Sequence, residues 1–246
     1  MIPEALQRSD ASMVEQHNKI INAAARSILA PEGLFRIGAS RTWIDDNGYF
    51  VILVEYQPFT ISKGSTLNVA VSFLWESSEG LNTTFAFNYG SRVGKVGYVP
   101  YTGDDADFSA KMEWFAQIAL QKVREYRRFR DLDYAKAQLE AQLETLVAQS
   151  GYWNHYDLAM LCFLKRDYQE GLHYFNLFLR KLSECNHRHT PAIDWEVDLY
   201  NHCIQVLLPQ LESENTAYKM VRDMITRRRT YFSERPSTKK LGIVFD

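Results

Sequence analysis

Hydrophobic positions along this 246-residue chain follow two periods, and the change between them falls near residue 108. Before it the spacing is mostly two. Residues 49–56 place Phe50, Ile52, Val54 and Tyr56 on one face and Val51, Leu53 and Glu55 on the other. Residues 66–75 alternate more cleanly, with Leu67, Val69, Val71, Phe73 and Trp75 against Asn68, Ala70, Ser72 and Leu74, which predicts a half-buried strand. Phe85, Phe87 and Tyr89 repeat the pattern, and residues 34–44 supply an earlier strand bent at Gly38. Between two of these runs stands Asp45-Asp46-Asn47-Gly48, whose Asn-Gly pair tolerates positive φ and so predicts a hairpin. Ahead of the strands, residues 13–30 carry Ile20, Ile21, Ala24, Ile28 and Leu29 at helical spacing and stop at Pro31 and Gly33. One helix and about four antiparallel strands are expected.

From Phe108 onward the period is helical and glycine becomes rare. Leu139, Leu143, Leu146 and Val147 form one stripe, and Leu172, Phe175, Leu179 and Leu182 form another. Ser150-Gly151 ends a helix, and Thr190-Pro191 begins one in the N-cap and N1 arrangement. The stripes predict six helices in three hairpins: 108–130 with 131–148, 152–165 with 167–185, and 190–208 with 213–232. The chain then divides into an α+β domain over 1–105, an all-α domain over 108–235 and a tail over 236–246.

Composition adds constraints. With 46% hydrophobic and 24% charged residues, the chain can build a packed core and is neither disordered nor collagen-like. A net charge of −2 argues against a nucleic-acid polyanion as partner. That total combines −4 through residue 108 with +2 beyond it, so the two parts are expected to attract one another. Three cysteines, Cys162, Cys185 and Cys203, suit reduced thiols better than a disulfide framework. The opening MIPEALQRSD has neither a basic start nor an apolar run, so no secretory signal is expected. The longest fully apolar stretch, 49–54, is far shorter than the ~20 residues of a membrane span. These features predict a cytoplasmic protein with no membrane partner.

Asp133-Tyr134-Ala135-Lys136-Ala137 is echoed by Asp167-Tyr168-Gln169-Glu170-Gly171 at a spacing of 34 residues. Tyr156-Asp157-Leu158-Ala159 sets a large residue before a small one. Gly171 takes a small position in the next helix, and Phe175 takes an aromatic one four residues on. In these features the second half resembles the tetratricopeptide repeat family. His155 stands where that family often has Trp. The resemblance implies paired helices that approach closely at small residues, and a surface that receives a protein or peptide.

In the first half the order is a helix, Gly33-Leu34-Phe35, Arg41-Thr42-Trp43, a strand ending in Gln57, Asn68-Val69, and Arg92-Val93-Gly94. Over about residues 12 to 100 this order resembles a bacterial family of unknown function, the one numbered 4304. It implies a bacterial α+β fold and carries no activity with it. The expected fold class is therefore an α+β domain, one helix on an antiparallel sheet, followed by tetratricopeptide-like helical hairpins.

Candidate chemistry is sparse. Arg41, Gln57, Asn68, Asn88 and Arg92 could line a ligand pocket on a polar sheet face, though most sheets have a wet face of this kind. Arginine clusters at 124–130 and 227–229 interleave with aromatics. Arg127, Arg128 and Arg228, with His155, are candidate partner-binding residues; solvated helix ends explain the same arginines. Cys185, His187 and His189 are the weak metal candidates, at a spacing unlike standard zinc sites. Asp104-Asp105-Ala106-Asp107 suits a helix cap. No nucleophile elbow, phosphate loop or dinucleotide fingerprint is present, so no catalytic residue is assigned and no cofactor is expected. Binding of a protein or peptide ranks first, an enzyme or small-ligand site on the sheet second, and nucleic-acid binding third.

Overall fold

Asn47 and Gly48 make the turn that their sequence suggests. The Asn47 N–H donates to the Phe50 carbonyl at 3.0 Å and Gly48 sits at φ 82°, a region that costs glycine nothing. The turn joins β2 (Thr42–Asp46) to β3 (Phe50–Gln57) in antiparallel register, Ile44 opposite Leu53. The computed structural model describes residues 4–59, 62–75, 85–94, 97–145, 151–188 and 193–242, leaving aside the side chains of 4–15 and 186–188.

The chain divides into two compact units. The first takes in residues 1–72, 89–127 and 234–241. It opens with α1 (Glu4–Leu29). The sheet follows in the order β1 (Phe35–Arg36), β2, β3, β4 (Gly64–Phe73) and β5 (Tyr89–Arg92), with β6 (Val99–Pro100) also paired to β4. The single bent strand expected over 34–44 is instead a tight hairpin, because the Ile37 N–H turns back to the Thr42 carbonyl across Gly38. The strand expected from Phe85 begins only at Tyr89.

The helix after the sheet is α2 (Asp105–Tyr126), capped by Asp104, whose carboxylate accepts the N–H groups of Ala106 and Asp107. Its stripe of Phe108, Met112, Phe115, Ala116, Ala119 and Val123 is buried, and the helix packs on α1. Unit 1 therefore holds two long helices rather than the one expected, and the predicted boundary at 105–108 falls inside it. The apolar stripe of α2, expected to pair with 131–148 in a hairpin, packs on α1 within the first unit. β4 is buried along its whole length, polar residues included.

The second unit takes in residues 73–88 and 128–233, with 242–246. Its helices are α3 (Leu132–Leu143), α4 (Trp153–Lys165), α5 (Tyr168–Arg188), α6 (Asp194–His202) and α7 (Glu214–Ser233). Asp131 caps α3 as Asp104 caps α2. α4 and α5 form a hairpin, α3 and α7 both pack on α4, and α6 packs on α5. At the turn after α4, Arg166 adopts φ 69° and the Asp167 N–H reaches the Cys162 carbonyl, the hydrogen-bond pattern of a Schellman ending. Gly171 lets the pair close: a Cβ there would lie 2.4 Å from the Phe163 ring. Side chains 34 residues apart meet between α3 and α5, where Lys136 donates to Glu170 and Tyr174 donates to Glu140. The echoed Asp133 and Asp167 both pair with Lys165, at 2.9 and 2.6 Å. Past α6 the backbone widens into a π-helical turn, Cys203–Leu207. Among the described residues no helix is long and apolar enough to cross a membrane.

Candidate functional site

The sheet residues expected to share a pocket fall in three places. Gln57, Asn68 and Arg92 do converge. Asn68 and Arg92 are cross-strand partners. The Asn68 amide donates to Glu55 at 2.7 Å and to Gln57 at 3.1 Å, while Arg92 donates to Gln57 at 3.0 Å. Arg41 lies on the opposite face, since it pairs with Tyr56 and side chains alternate along a strand. There it donates to Asn18 of α1, to the Gly64 carbonyl and to Nε2 of His17 at 2.6 Å. Burial lowers its pKa from the ordinary arginine value. Asn88 belongs to the second unit and to a different cluster.

The partner-binding candidates are largely engaged within their own units. Arg127 makes a two-pronged contact to Asp45, at 2.8 and 2.9 Å, and reaches Glu32. The hydrogen bonds to Asp45 outweigh burial and raise its pKa. Arg128 lies over the Tyr134 ring at 4.0 Å, and Arg228 over Phe232 at 4.7 Å. His155 is buried rather than displayed. Its Nδ1 has no hydrogen-bond partner, and burial, then Lys181, Arg180 and His173, lower its pKa to about 4. Of the metal candidates, Cys185 is partly exposed, while the His187 side chain and His189 lie outside the described residues. Among the described residues no three His, Cys, Asp or Glu side chains gather as metal ligands would. Burial pushes the thiols of Cys162 and Cys203 up to about 12, which keeps them protonated and inert.

The second unit contains a cavity of about 300 Å³ between α4 and the segments at 73–75 and 86–88. Trp153, Tyr156 and Asp157 stand at i, i+3 and i+4 on α4 and so share one face of that helix. Phe73 and Trp75 supply a second wall, with rings stacked 4.4 Å apart. Trp153 and Tyr156 meet nearly at right angles, 5.9 Å between centroids. Phe87 also lines the cavity, and it and Trp153 are its exposed aromatic members, at 44% and 42%.

Asp157 is only 2% exposed in this setting. Its Oδ1 accepts the Trp75 indole N–H at 2.9 Å and its Oδ2 accepts the Asn88 amide at 3.1 Å. The Asn88 carbonyl in turn accepts the Phe73 N–H, and the Tyr156 hydroxyl donates to the Trp75 carbonyl. Side chain and backbone thus fix one another around the carboxylate. The result is a shaped aromatic recess with a hydrogen-bonded carboxylate at its floor and a rim that includes an indole and a phenyl ring. Such a recess can hold one side chain or a small group.

A second cavity, about 510 Å³, lies beside the π-helical turn and is lined by His202, Val206, Gln210, Asp223 and Arg227. Charges of both signs share it, and Asp223 pairs with Lys219, so it favours no single ligand chemistry.

None of Trp75, Phe87, Trp153, Tyr156 or Asp157 was singled out by sequence reasoning as a site residue. One signal was present: Asp157 is the only charged residue in the run 155–163, every member of which is buried. An acid at a core position needs a polar reason to be there. No family model matches the chain, and neither the curated proteins nor the solved structures include a significant match.

Proposed function

We propose that this protein is a non-catalytic binding module that recognises a protein or peptide partner by taking one of its side chains into the aromatic recess on α4. The observation that carries this reading is the pairing of a pre-formed cavity with an exposed indole and an exposed phenyl ring at its mouth. Rigid aromatic anchors are the residues that dominate recognition surfaces.

A tetratricopeptide-like reading of the second unit agrees with this. It is supported by the close approach at Gly171 and by the bonds joining residues 34 apart, as stacked tandem units would make. The polar sheet group is a weaker place for a ligand, because Glu55, Gln57, Asn68 and Arg92 satisfy one another. Nucleic-acid binding loses support from the engagement of Arg127 with Asp45 and Glu32.

Selection of a random peptide library on the purified full chain tests the proposal. Selected peptides should bind the wild type and lose about tenfold or more in affinity for Trp153→Ala, an exposed position whose loss spares the core. Peptides that bind Trp153→Ala and Phe87→Ala as tightly as the wild type would overturn it.

A further inference from the structure

We infer that the guanidinium of Arg41 is an oxyanion-binding group, set to receive a carboxylate or a phosphate on the side of the β2–β3 pair that faces α1. The site belongs to the first unit and does not depend on the recess on α4.

An arginine is charged at any pH the fold survives, and placing it partly out of water is costly unless a carboxylate answers the charge. Arg127, in the same unit, has that answer in Asp45 and Glu32, and the bonds to Asp45 raise its pKa. Arg41 does not. Among the described residues no carboxylate pairs with it, and burial lowers its pKa. Its three partners are neutral. The Asn18 side-chain oxygen accepts the Nε–H at 2.6 Å, and the Gly64 carbonyl accepts from one terminal nitrogen at 3.0 Å. Nε2 of His17 lies 2.6 Å from the other terminal nitrogen. A guanidinium only donates, so that ring nitrogen accepts and the imidazole is uncharged.

These bonds occupy three of the five N–H groups. One N–H on each terminal nitrogen is left, and Arg41 keeps part of its surface in solvent. Two such donors on one planar plate match two oxygens of a carboxylate or of a phosphate. His17 and Asn18 hold the plate from α1, and Gly64 holds it from β4, so it is fixed before a ligand arrives.

The neighbouring part of this sheet face is also short of acceptors. Tyr56 stands across the ladder from Arg41, its N–H donating to the Arg41 carbonyl at 3.1 Å, and Trp43 follows two positions after Arg41 on the same face. The Tyr56 hydroxyl and the Trp43 indole N–H are buried with no hydrogen-bond partner among the described residues. Burial pushes the Tyr56 pKa up, so the hydroxyl keeps its proton. One acceptor stands open on α1, Oδ1 of Asn22, a turn on from Asn18. Asp105 is engaged by Gln16 and Tyr101. A surplus of donors beside an unanswered cation favours a ligand that brings acceptors and negative charge.

Titration of the full chain with sodium phosphate and with sodium acetate, each against sodium chloride at matched ionic strength, tests the inference. In the wild type the arginine Nε–H resonances are followed. That of Arg41 should move saturably with an oxyanion and stay still in chloride, and the anion with the lower Kd names the ligand class. In thermal melts the same oxyanion should raise Tm above the chloride control. Arg41→Lys keeps the charge but loses the fork, and should weaken binding about tenfold or more. Arg124→Gln removes an exposed arginine and should leave binding unchanged. Equal losses in the two variants would mark general screening and overturn the site. So would Arg41→Lys binding as tightly as the wild type. Should Arg41→Lys fail to fold, the wild-type titration decides alone: an Arg41 resonance that responds to both oxyanions no more than to chloride overturns the inference.

Discussion

Replacing Arg127 with Ala would leave Asp45, a carboxylate 4% exposed, without its two-pronged guanidinium partner. Removing one member of a buried pair strands the other charge, so Arg127→Ala should cost about 3 kcal/mol in urea unfolding. A surface arginine kept for a partner would cost near nothing. His155 offers a second residue-scale expectation. Its folded-state pKa of about 4 lies below the unfolded value near 6.5, so the unfolded chain takes up the proton first as pH falls. Its contribution is intact above about pH 6.5 and is lost as pH falls toward about 4, by up to about 3 kcal/mol. The urea midpoint should therefore fall over that interval, and His155→Leu should flatten the fall. An unchanged slope in the variant would assign the effect to other groups.

At the scale of elements, the α4–α5 hairpin depends on one absent side chain. The Cβ of Gly171→Ala would lie 2.4 Å from the Phe163 ring, so the variant should lose roughly 1–3 kcal/mol through overpacking. Thermal melts of Gly171→Ala alone and combined with Phe163→Leu should show partial recovery in the pair. The sequence marks the place with a glycine inside an otherwise helical stripe, where a missing side chain points to a packing reason. The Asp45–Gly48 hairpin and the Asp104 cap were readable for the same reason, each being local chemistry within four or five residues. Other features were not local. Period two told which residues of 66–75 share a face, but not that both faces are covered, and so Asn68 and Ser72 are buried where a wet face was expected. The apolar stripe of α2 gave a helix without saying that α1, 89 residues earlier by the Gln16–Asp105 bond, is its partner.

Across the whole molecule, the chain does not partition at the change of period. Residues 73–88 go with the helical unit and α2 goes with the sheet. That exchange is what builds the recess, since Phe73, Trp75, Phe87 and Asn88 reach α4 from sequence 65 or more positions away. No pattern along the chain joins Trp75 to Asp157; the bond between them spans 82 positions. Asp157 stands out along the chain as an acid among apolar residues, yet nothing near it in sequence shows what it holds. The candidate pocket of Arg41, Gln57, Asn68, Asn88 and Arg92 dissolved for the complementary reason, as alternation sends Arg41 to one face and Gln57 to the other.

The claim that the recess on α4 is the binding site is tested most directly by the indole N–H resonances of the five tryptophans, followed while a library-selected peptide is titrated into the full chain. Trp153 and Trp75 should shift together, while Trp43, Trp114 and Trp195, none of which lines the recess, hold their positions. Shifts at Trp114 or Trp195 with Trp153 and Trp75 unmoved would contradict the account.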